Sequence, residues 1–254
     1  MNVPAPGTLL VLSALAVGVG MWGIAAFRWR RGERLLGPRA PITVAEWGAA
    51  AGAAVWFATM LIRPPEDAAS PALWSTGRAA VAAVGAGIVW SVAARSTGEP
   101  RRTLTDDFRD GVVAVLLALP PVAVALLLPW PERTVAGSNP LVILFADGPW
   151  PVAALVAFGA VALAPVGEEL LFRGLFLGSL RKAGVPAAAA ILGTAALFAV
   201  VHPPQDWASL FVLACVLGWC RERTGSVRPA IVAHALFNAL MLSWVLLDGW
   251  ATAG

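Results

Sequence analysis

The sequence predicts an all-α fold, a polytopic transmembrane helical bundle of about eight spans. Three observations predict it. Hydrophobic residues make up 59% of the chain and charged residues 13%, whereas a soluble domain carries roughly 45–50% and about 25%. The mean hydropathy is +0.76. The apolar residues gather into stretches of roughly 20, the length a helix needs to cross the hydrocarbon, without the alternation of membrane β-barrel strands.

The first stretch, 8–27, is too long for a signal-peptide apolar region and is followed, not preceded, by basic residues (Arg28, Arg30, Arg31, Arg34). It reads as an uncleaved span with its N-terminus outside. Further stretches fall at 43–62, 72–94, 111–129, 141–164, 186–201, 208–220 and 229–247, with 165–181 continuing the fifth. Basic loops at 28–39, 95–109, 181–182 and 221–228 alternate with nearly neutral ones at 63–70, 132–139 and 202–207, which puts the basic set on the cytoplasmic side. Glu46 and Arg78 lie near span ends, where long side chains reach the interface. Seven of the twelve Trp (Trp29, Trp47, Trp74, Trp130, Trp150, Trp207, Trp250) also lie near span ends, and the chain has no Tyr.

The net charge is +3 and the pI is about 9.6. The positive charges sit in short loops, not on an amphipathic or aromatic-interleaved segment, so no nucleic-acid partner is expected. Cys215 and Cys220 share one apolar stretch and read as packing residues, with neither a disulfide nor a metal pair. Two parts follow: residues 1–140, helices of unassigned role, and 141–254, where the intramembrane chemistry lies. A multi-pass protein of the cell membrane is expected.

Segment 161–182 places Glu168, Glu169 and Arg173 in an otherwise apolar helix. One charge at a helix centre costs about 2.5–3.5 kcal/mol on insertion scales, so three require partners or a function. Glu169 and Arg173 are four apart and can pair. Glu168 is rotated about 100° from Glu169, so a different partner is expected for it. Pro165 and Gly167 loosen the helix just before the pair. The chain's two histidines complete the set. His202 ends an apolar helix one turn after Phe198, and His234 shares a face with Asn238 on the last span. Glu, His and His form a common catalytic zinc set, and a carboxylate beside a bound water can act as general base. By helical rise His202 sits roughly 24 Å into its span and His234 about 9 Å into its own, so a joint site requires tilt or a dipping loop.

Glu168-Glu169-x-x-x-Arg173, Phe198-x-x-x-His202 and His234-x-x-x-Asn238, in that order on successive helices, resemble the CAAX-protease and bacteriocin-processing (CPBP) family of intramembrane proteases. The resemblance covers roughly residues 150–247. It implies hydrolysis of peptide bonds in membrane-associated or prenylated-type substrates by the catalytic set Glu168, Glu169, His202, His234 and Asn238. Glu168 and His202 would activate the attacking water, and His234 and Asn238 would stabilise the oxyanion or contribute to metal binding. Glu169 and Arg173, as an ion pair, would hold the glutamate helix. A Zn2+ ion on Glu168, His202 and His234 would suit this set, and a metal-independent glutamate mechanism is also argued for the family.

A proton-coupled transporter using Glu168 and the histidines as a relay is the main alternative, and no inverted repeat supports it. A catalytically silent scaffold or immunity protein is the third reading. The expected partners are the lipid bilayer and a peptide or protein substrate; the physiological substrate and the oligomeric state are not legible.

Overall fold

The computed structural model describes residues 102–127 and 140–252, with scattered positions between 13 and 36. The spans expected at 43–62 and 72–94, and most of the one at 8–27, lie outside the described residues. Among those described, every regular element is helical. Among the described residues, three helices are long and apolar enough to cross a membrane: Leu104–Leu126, Trp150–Arg181 and Arg228–Leu247, with Ala187–Val200 a shorter apolar helix.

Helix Leu104–Leu127 begins with a threonine N-cap. Thr103 Oγ1 accepts from the Asp106 N–H at 3.0 Å and donates to the Asp106 carboxylate at 2.8 Å. Asp106 and Asp107 place negative charge at the positive end of the helix dipole. The buried carboxylates of Asp107 and Asp110 both bind Arg102, and Asp107 also pairs with Arg228 at 2.8 Å. Burial works against the Arg102 charge, but its hydrogen bonds to the two aspartates outweigh that and hold its pKa above the ordinary value. This charge network ties the start of Leu104–Leu127 to the start of the final helix, Arg228–Thr252.

Pro120 and Pro121 lie inside Leu104–Leu127. Pro121 has no N–H to offer the carbonyl four residues earlier, that of Leu117. The Trp22 indole N–H fills the gap, donating to Leu117 O at 2.9 Å. In hydrocarbon such a carbonyl requires a protein donor, because no water is there to supply one.

The core crosses the boundary expected at residue 140. Ala114, Ala118 and Val122 of Leu104–Leu127 pack with Leu217 of Trp207–Thr224 and with Ala233 and Phe237 of the final helix. Small residues allow this approach. A Cβ at Gly111 would lie 2.6 Å from Val232 Cβ and 2.9 Å from Pro229 O. Gly111→Leu should therefore destabilise the protein by about 1–3 kcal/mol through overpacking, read as a lower Tm in detergent. An unchanged Tm would contradict the close packing of these two helices.

The fifth apolar stretch does not run as one span from 141. Pro140–Asp147 ends at Gly148, and Pro149 precedes a new helix that continues to Lys182. Gly148-Pro149 explains the break: proline disfavours helical backbone in the residue before it and is itself tolerated at a helix start. The long glutamate helix changes register twice. Gly159–Leu163 and Leu170–Phe176 are π-helical turns on either side of Ala164–Glu169. Helix Trp207–Thr224 stops at Gly225, whose φ of 70° lies in the left-handed region and suits glycine. The chain then turns directly into the final helix.

Candidate active site

The two π turns flank the residues with the chemistry. Such turns are uncommon and concentrate at functional sites. Arg173 Nη1 donates to Glu169 Oε1 at 2.8 Å, and Nη2 donates to the carbonyl of Ala214 at 3.0 Å. Its guanidinium carbon also lies over the Phe198 ring, 4.8 Å from the centroid. A fully buried arginine is thus held by one carboxylate, one backbone oxygen and one aromatic face.

The final helix brings His234 to the same carboxylate. His234 Nδ1 lies 3.0 Å from Glu169 Oε1. An ionised carboxylate only accepts, so Nδ1 is the donor in this contact, which leaves Nε2 as the nitrogen turned to the other side of the ring. Glu168 Oε2 faces that nitrogen at 3.8 Å. Glu168 thus faces a partner other than Arg173, but one that it shares with Glu169: both glutamates address one imidazole, one at each nitrogen. Side chains 100° apart on a helix can straddle a ring inserted between them. The side chain of Glu169 is 0% exposed and that of Glu168 9%, so Glu168 is the carboxylate placed to meet water.

His202 approaches from elsewhere. It follows the end of Ala187–Val200, where Pro203 ends the helical run. Its Nδ1 lies 2.7 Å from the Phe198 carbonyl oxygen, which fixes the proton on Nδ1 here too. Trp207 Nε1 donates to the His202 carbonyl at 2.8 Å and secures the turn. The Phe198 ring lies between the histidines, 4.7 Å from the His202 ring centroid and 5.8 Å from that of His234. Phe198, one turn before His202, thus bridges the mismatch in depth between the two histidines.

Asn238 does not turn to the glutamates. Its Nδ2 donates to the carbonyl of Ala160, within the first π turn, at 2.8 Å. The arrangement therefore brings together Glu168, Glu169, Arg173 and His234, holds His202 across Phe198, and sets Asn238 on the helix backbone. The carbonyls of Ala160 and Ala214 were not identifiable from the sequence, because every residue has a carbonyl and only packing selects one.

The donor chemistry suits a zinc ion in one respect. Each imidazole commits Nδ1 to an oxygen and leaves Nε2 available, as metal-binding histidines do. The grouping does not fit: among the described residues, no three His, Cys, Asp or Glu side chains come together as a metal site. A zinc ion on Glu168, His202 and His234 would require the three to close up.

Residues 149–240 match the family model described as Rce1-like, type II CAAX prenyl endopeptidase Rce1-like. The match runs from just before Trp150 to just past Asn238 and so includes every residue of the cluster. No curated protein and no solved structure matches the chain.

Proposed function

We propose that this chain, whose residues 149–240 match the Rce1-like family model, is an intramembrane endopeptidase of the CAAX-protease type that hydrolyses peptide bonds of membrane-associated or prenylated-type substrates. The observation that carries the reading is the Arg173–Glu169–His234–Glu168 relay, with contacts of 2.8, 3.0 and 3.8 Å.

Each member has a part. Arg173 pairs with Glu169 within an apolar helix and holds its carboxylate in place. Glu169 fixes the His234 tautomer and orientation, as an acid does for the histidine of a catalytic triad. The span between Glu168 and His234 Nε2 is too long for a direct hydrogen bond and suits a bridging water. That water attacks the substrate carbonyl carbon while its proton passes to the Glu168–His234 pair. The tetrahedral intermediate collapses, the C–N bond breaks, and the same proton leaves with the amine. His202, with Nε2 directed away from its bonded Nδ1, serves at the far side of Phe198 in orienting the substrate.

The test is cleavage of a membrane-anchored quenched peptide by the purified protein in liposomes. Wild type should cleave it, and Glu168→Gln should lose on the order of 10²–10⁴-fold in kcat. Full activity in Glu168→Gln would remove Glu168 from the mechanism. Proton-coupled uptake without cleavage would favour a carrier instead.

A further inference from the structure

We propose that Asn238 is a positioning residue: its amide replaces the backbone N–H that Pro165 lacks, and so seats the π turn that precedes the two glutamates. The consequence for turnover rests on the protease reading, while the hydrogen bond does not.

At the end of the π turn Gly159–Leu163 the Ala164 N–H reaches back five residues, to Gly159 O. In the same register the next amide, at 165, would bond to Ala160 O. Pro165 has no N–H. Ala160 O is thus the carbonyl left open, and it is the one that Asn238 Nδ2 meets at 2.8 Å. The device recurs in this fold: Pro121 opens Leu117 O, and the Trp22 indole N–H closes it at 2.9 Å. Two proline gaps, each filled by a side-chain donor from another helix, follow from the need to satisfy backbone groups in hydrocarbon.

The location ties this repair to the site. Asn238 lies one turn beyond His234 on the same face of the final helix. That helix therefore holds the glutamate helix at two points: His234 on Glu169, and Asn238 on the turn before it. A π turn accommodates one extra residue, so its loss rotates the helix on one side against the other by about 100°. Without Asn238, Glu168 and Glu169 lose their fixed aim at His234. This role differs from the oxyanion donation implied by the family resemblance, in which Asn238 would touch the substrate.

A double-mutant cycle between positions 165 and 238 separates the two roles. Pro165→Ala restores a backbone N–H near Ala160 O, so it should make Asn238 dispensable. Asn238→Leu should lower kcat by about tenfold with Pro165 present and by less than about threefold in the Pro165→Ala background. The same cycle, built on Glu168→Gln and read as Tm, requires no turnover. The Tm loss from Asn238→Leu should shrink to less than about half when Pro165 is replaced. That arm reports the hydrogen bond even in a chain that cleaves nothing, so failure of the proposal and failure of the protease reading remain distinguishable. If Asn238→Leu folds only in the Pro165→Ala background, that rescue supports the proposal. Equal losses in both backgrounds, or failure to fold in both, would overturn it.

Discussion

His234→Ala is expected to lower kcat by on the order of 10³-fold while leaving the helices in place. Both glutamates address the imidazole, at 3.0 Å through Nδ1 and 3.8 Å through Nε2. Its removal deletes the acceptor beside the attacking water and leaves Glu169 with nothing to orient. The fold should tolerate the change, because Glu169 keeps Arg173 and the final helix keeps its packing against Leu104–Leu127. Helical circular dichroism and Tm close to wild type, together with lost cleavage, are the expected readings. Cleavage within about tenfold of wild type would place the water activator elsewhere.

The largest stability loss is expected from Arg173→Met, about 3–5 kcal/mol. Arg173 is fully buried and neutralises a fully buried carboxylate. Methionine retains much of the apolar stem but leaves Glu169 charged and without its cation, or forces it to take up a proton. It also removes the cation over Phe198 and frees the Ala214 carbonyl. Replacing both partners, Glu169→Gln with Arg173→Met, should recover part of the loss, since no unpaired charge remains. Chemical or thermal unfolding in detergent measures both. A single Arg173→Met protein as stable as wild type would show that the pair contributes nothing to the helix.

Much of this arrangement was legible in the sequence, and what was missed has physical causes. Hydropathy located the helices at 104–127, 187–200, 207–224 and 228–252 to within several residues, because apolar length is what lipid selects. It ran through Gly148-Pro149, since a break between two apolar segments leaves little mark on an average over both. The candidate residues stood out because an ionisable side chain in hydrocarbon is conspicuous. Their mutual geometry did not. Helical rotation implied a partner for Glu168 other than Arg173, but not that this partner, an imidazole with two nitrogens, would be shared with Glu169. The depths of the histidines suggested separation, but Phe198 extends from one helix to the other. The π turns have no signature of their own. The first becomes intelligible only when Pro165, Ala160 and Asn238 are taken together, because Asn238 lies far from the turn in sequence.

The most direct test of the account is hydrolysis of a single-site peptide in isotopically labelled water by wild type and by Glu168→Gln, with the cleaved product analysed by mass spectrometry. Wild type should yield a new C-terminal carboxyl carrying one heavy oxygen from solvent, and Glu168→Gln should yield almost no product. Intact peptide from wild type, or labelled product formed equally by both proteins, would contradict the claim that water activated beside Glu168 and His234 performs the reaction.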